Sequence, residues 1–106
     1  MNELSLEALQ KLCDSRSIKW TKHVAKRLQE RFIYREDVYN VIYHGRIIKQ
    51  YPNAFPTPAC LVSGKALKGT PLHVVIGADG VVLTVITAYE PTPDKFENDL
   101  ETRKEK

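Results

Sequence analysis

The sequence predicts an α+β domain, with N-terminal helices packed on a four-stranded antiparallel sheet. Three observations carry this. Apolar residues recur at helical spacing through about residue 44, and β-branched runs punctuated by Gly and Pro follow to about residue 90. The 106 residues suffice for one domain and leave little room for a second. The predicted core spans about residues 17–93, with an N-terminal helix in 1–16 and a charged C-terminal helix or tail in 94–106.

Leu4, Leu6, Leu9, Leu12 and Cys13 give a mostly helical spacing, so residues 5–14 form a short amphipathic helix with Ser5 at its cap position. Residues 18–20 are a brief extended piece. Thr21 caps a second helix from Lys22 to about Arg31, with Val24, Ala25 and Leu28 inward. Residues 35–43 form a third. Glu36 and Asp37 in its first turn suit the helix dipole, Val38, Val41 and Ile42 make its apolar stripe, and Gly45 ends it. The period then changes. RIIKQY at 46–51, ACLVSG at 59–64, LHVVIG at 72–77 and VVLTVITAY at 81–89 read as strands, the last and longest as central. Pro91 and Pro93 end the sheet, and Asp94 begins a short terminal helix using Phe96 and Leu100. Trp20 is expected in the core, and Tyr34, Tyr39 and Tyr43 as amphipathic packing.

Several function classes fall away. The apolar stretch 74–89 is broken by Gly77, Asp79, Gly80 and Thr84, so no bilayer span is expected. The acidic, amphipathic first residues are unlike a secretory signal, and a cytoplasmic location follows. Cys13 and Cys60 stand in no disulfide, metal or redox spacing and read as buried thiols. Three scattered histidines plus Cys60 give no zinc spacing, so neither metal nor cofactor is expected. Glycine-rich phosphate loops, nucleophile elbows and paired carboxylates are absent from the sequence.

The net charge of +3 is unevenly spread. Residues 19–49 hold eight bases (Lys19, Lys22, Lys26, Arg27, Arg31, Arg35, Arg46 and Lys49) against Glu30, Glu36 and Asp37. All the excess positive charge lies there, as expected for a phosphate-bearing partner or, equally, for a solvated helix face.

The order Thr21-Lys22-His23, Arg27, Arg31, then a helix, then Gly45-Arg46-Ile47-Ile48, Tyr51, LHVV and ITAYEP resembles a family of small bacterial proteins catalogued as a domain of unknown function. That family looks like part of the RelE/MqsR-type toxin superfamily, within the barnase–EndoU–colicin–RelE fold group. The resemblance covers roughly residues 17–103. It implies a RelE-like topology and a metal-independent endoribonuclease, the toxin of a type II toxin–antitoxin pair. RNA and a zinc-finger antitoxin are its implied partners.

Metal-free RNA cleavage needs a base for the 2′-hydroxyl proton, an acid for the leaving oxygen, and cations on the phosphate. His23, Arg27 and Arg31 are spaced i, i+4, i+8 and share one helix face, widened by Lys22 and Lys26. His23 is the candidate base, and Arg27 and Arg31 the phosphate grip. The alternative is a capping histidine beside solvated arginines. A three-residue hairpin loop at 78–80 pairs His73 with Val85 and places His73, Thr87 and Tyr89 on one sheet face. His73 is then the acid, with Tyr89 or Thr87 on the phosphate or a base. A two-residue loop at Asp79-Gly80 pairs His73 with Ile86 instead and separates the group. Lys49 and Tyr51, on the same face of their strand as Ile47, resemble the strand cations of these toxins, with Arg46 beside them; an edge strand guarded by lysine explains them equally. The last two strands carry Val75, Leu83 and Val85 where the best-known RelE pattern has arginine.

Overall fold

The computed structural model describes residues 3–91. Three helices, α1 (Leu6–Asp14), α2 (Lys22–Glu30) and α3 (Arg35–His44), accompany five strands: β1 (Ile18–Trp20), β2 (Arg46–Tyr51), β3 (Ala59–Lys65), β4 (Pro71–Ala78) and β5 (Leu83–Tyr89). The terminal helix expected after Asp94 lies outside the described residues.

The expected four antiparallel strands are a five-stranded mixed sheet, in the order β1-β5-β4-β3-β2. The extended piece at Ile18–Trp20 is the added strand, running parallel to β5 with Ile18 opposite Leu83 and Trp20 opposite Val85. β4 therefore holds the middle, and β5 lies one place from the edge.

The helices begin where the sequence signals them. The Ser5 hydroxyl accepts the Ala8 amide at 3.1 Å, and the Thr21 hydroxyl accepts the Val24 amide at 3.1 Å. Both helices end in a way their sequences conceal. The Ser17 amide reaches the Leu12 carbonyl at 2.8 Å and the Ile33 amide the Leu28 carbonyl at 2.9 Å, each closing a Schellman motif. The residues that take the left-handed conformation there are Arg16 (φ 61°) and Phe32 (φ 57°), not glycines.

The three helices cover one face of the sheet. Val24, Leu28, Val38, Val41 and Ile42 meet Cys60, Val62, Val74, Ile76, Val85 and Ala88 in a single core. Gln50 fastens the first described residues to edge strand β2, accepting the Leu4 amide at 3.0 Å and donating to its carbonyl at 2.7 Å. Trp20 packs against the core and meets the Tyr39 ring edge-on at 5.8 Å, with the Arg35 guanidinium 5.0 Å from its centre. Tyr34, expected to pack, is instead exposed.

Both cysteines are buried and unpaired. Burial pushes the Cys60 thiol up to about 12, and burial plus the Asp14 charge pushes Cys13 up to about 11. At pH 7–8 both are protonated and covered. A disulfide-exchange reagent is therefore expected to label neither in the native protein and both in denaturant, as read by absorbance of the released thiolate. Native labelling at the denatured rate would show the core around them to be open.

Candidate functional site

α2 carries one half of the candidate site. Because Val24 and Leu28 face inward, Lys22, His23, Lys26 and Arg27 are left in solvent. Among the described residues Lys22, Lys26 and Arg27 make no ion pair, unlike Lys11 with Glu7 and Lys68 with Glu90. The end of the stripe is anchored differently. β1 stops at Trp20, opposite Val85, so the outer edge of β5 beyond that point has no strand beside it. The Arg31 guanidinium fills the gap, donating to the Ala88 carbonyl at 2.8 Å and to the Thr87 hydroxyl at 3.3 Å. Arg31, expected on the phosphate, thus satisfies a sheet edge and ties the His23–Arg27–Arg31 stripe to Thr87.

The second half lies on the sheet face away from the core. Cross-strand partners share a face, and four polar residues stand in register across four strands: Arg46 opposite Ser63, Ser63 opposite His73, His73 opposite Tyr89. The next row runs Lys49, Leu61, Val75, Thr87. Tyr51 follows on β2, with the Lys49 ammonium 5.6 Å from its ring. His73 is fully buried and meets the Tyr89 ring edge-on at 5.6 Å.

Neither expected hairpin forms. The loop has four residues, 79–82, in which the Asp79 amide donates to the Val82 carbonyl at 3.3 Å. The Asp79 carboxylate accepts the Val81 and Val82 amides at 2.8 Å each, and these bonds hold its carboxyl below the usual carboxylate range. The β5 register then shifts between Val85 and Thr87, at Ile86. His73 therefore faces Tyr89 rather than Val85 or Ile86, yet His73, Thr87 and Tyr89 share one face. A second bulge, at Ile48, moves Ile47 into the core opposite Val62 while Arg46, Lys49 and Tyr51 take the far face, so Ile47 does not accompany Lys49 and Tyr51 as expected.

The site residues thus form linked pairs, Arg31 with Thr87, His73 with Tyr89 and Lys49 with Tyr51, without converging on one point. His23 and His73 do not face each other across a groove. His23 is exposed in the first turn of α2, just after β1, whereas His73 is buried on the far face toward the other end of β5. Buried there, His73 packs against the Tyr89 ring. Ser63 was missed because a lone hydroxyl in ACLVSG gains meaning only once β3 and β4 are in register.

Among the described residues no group of three or more His, Cys, Asp or Glu is placed to hold a metal ion. No described helix is long and apolar enough to cross a membrane. A family model described as Domain of unknown function (DUF4258) matches residues 20–90. The chain belongs to this family. The DUF4258 match takes in α2, α3 and β2–β5, hence both halves of the candidate site, and leaves α1 outside. No curated protein and no solved structure matched the chain.

Proposed function

We propose that this DUF4258 chain is a metal-independent endoribonuclease of the RelE/MqsR-like toxin type, working in the cytoplasm and held in check by a cognate antitoxin. One observation supports this above others. The Arg31–Thr87 contact joins an exposed stripe of histidine and uncompensated cations to the hydroxyl residues of the sheet. An RNA strand lying along α2 has its phosphates against Lys22, Lys26 and Arg27, with Arg46 and Lys49 as further cations on the sheet. His23 takes the 2′-hydroxyl proton, the 2′-oxygen attacks phosphorus, and the 5′-oxygen leaves with a proton from solvent water. Thr87 and Tyr89 are further RNA contacts on the sheet, with His73 packed beside the Tyr89 ring.

The test is induced expression in a bacterial host of the wild type beside His23→Ala, following growth and total RNA. The wild type is expected to arrest growth and fragment RNA. The variant should cleave about 10²–10⁴-fold more slowly, the usual share of a general base. Arrest and fragmentation that persist in the variant would remove His23 from the chemistry.

The burial of His73 favours a second reading, a non-catalytic RNA- or protein-binding module of the same fold. It predicts salt-sensitive RNA or partner binding without cleavage products, and healthy cells.

A further inference from the structure

Folding does not account for Phe32. It occupies the left-handed position after α2, where glycine or asparagine is the low-strain residue, and its side chain is 74% exposed. The apolar contact that a Schellman motif uses is supplied by the next residue, Ile33, which is buried with Leu28 in the core. A bulky ring here adds strain and is left outside the core. Tyr34, two residues on, is 66% exposed and precedes α3, where its backbone amide rather than its ring makes the capping contact, to Asp37 at 2.9 Å. Both rings line a groove of about 470 Å³ floored by Leu28 and Ile33, and both also line an adjoining one of about 370 Å³ beside Leu67 and Lys68.

We infer that Phe32 and Tyr34 form a stacking platform for unpaired bases of single-stranded RNA, a proposal that rests on RNA being the ligand of α2. The exposed cations of α2 favour RNA over an apolar peptide, although Glu36 lines both grooves, beside Arg35 in the first and with Asp37 and Lys68 in the second. Ala25 and Gln29 line the first groove, and Lys22 and Lys26 stand one helical turn before them, exposed and without an ion pair among the described residues. Cations that track a backbone beside rings that accept bases are the two parts of a single-strand binding surface, and every base offers a face for stacking. A duplex keeps its bases inside and cannot use the rings. The platform therefore selects unpaired RNA and positions it at the end of α2, leading toward Arg27 and His23.

The experiment is fluorescence anisotropy with a labelled single-stranded 12-nucleotide RNA and the same sequence as a duplex, using the full chain. Phe32→Asn and Tyr34→Ser remove the rings but supply residues suited to a left-handed turn and to a helix cap, so thermal midpoints should hold or rise. Each variant is expected to bind the single strand about tenfold more weakly, with an unchanged salt slope because no phosphate contact is lost. Phe32→Trp should bind at least as tightly as wild type, which separates stacking from a folding effect. Folded Phe32→Asn and Tyr34→Ser variants that match wild type, or a duplex bound as tightly as the single strand, would overturn the platform while leaving RNA binding by α2 in place. Absence of any wild-type RNA binding would overturn both.

Discussion

Gly45→Ala is expected to destabilise the domain by about 3 kcal/mol, the upper part of the range for overpacking a close-packed site. Gly45 joins α3 directly to β2, and its backbone is extended (φ −90°, ψ −162°), a conformation open to any residue. The need for glycine is one of space. A β-carbon there would lie 2.3 Å from the Ser63 carbonyl oxygen and 2.6 Å from the Val41 carbonyl oxygen. Both are backbone atoms held in place, Ser63 by the sheet and Val41 by its bond from the Gly45 amide at 2.8 Å. Relief therefore requires either α3 to lift from β3 or β2 to lose its first pairing, and each exposes core around Val41 and Ile42. Gly64→Ala should cost less, about 1 kcal/mol, because its β-carbon would meet Val41 and Gly45 at 3.2–3.3 Å and small shifts suffice. Urea unfolding followed by circular dichroism measures both. A Gly45→Ala protein within about 0.5 kcal/mol of wild type would show the junction to be free to move.

That junction illustrates what the sequence discloses and what it withholds. Gly45 was legible as the end of α3, but the reason glycine is needed there was not, since the carbonyl of Ser63 is invisible from a distance of 18 residues in the chain. Ser5 and Thr21 were legible because a cap acts within three residues of itself. Arg16 and Phe32 were not, because left-handed residues are sought among glycines. The strand runs stood out through their β-branched content, yet that same uniformity hid the phase. Val81 and Val82 read as strand and belong to the loop, while Ile48 and Ile86 sit at bulges inside unbroken apolar runs. β1 has three residues and no pattern of its own, so only its pairing with β5 makes it a strand. The candidate site inherits these limits. The exposed face of α2, with Lys22, His23, Lys26 and Arg27, needs helical spacing alone and was legible, whereas the turn of Arg31 to the β5 edge was not. The row Arg46–Ser63–His73–Tyr89 depends on three registers and two bulges, and only fragments of it could be read.

Asp37→Ala is expected to cost about 2–3 kcal/mol, the consequence of leaving two hydrogen-bond donors without their charged acceptor. Asp37 is buried, and its two carboxylate oxygens serve different parts of the chain. One accepts the Tyr34 amide at 2.9 Å and caps α3; the other accepts the Leu67 amide at 2.9 Å in the β3–β4 connection. The side chain also places negative charge in the first turn of α3, where the dipole favours it. Asp37→Asn keeps one acceptor oxygen but turns an amide N–H₂ toward the other donor, so it should fall between wild type and alanine. Hydrogen exchange gives the decisive reading. Tyr34 and Leu67 amides are expected to lose protection together in Asp37→Ala, while those of β4 and β5 keep theirs relative to global unfolding. Because Tyr34 and Leu67 flank the groove beside Phe32, the same variant should also bind single-stranded RNA more weakly, although Asp37 is itself an acid whose removal ought to favour RNA on charge alone. Weaker binding would mean that the carboxylate matters by holding the groove in shape. Tighter binding would mean that the groove survives without it and that charge governs the interaction.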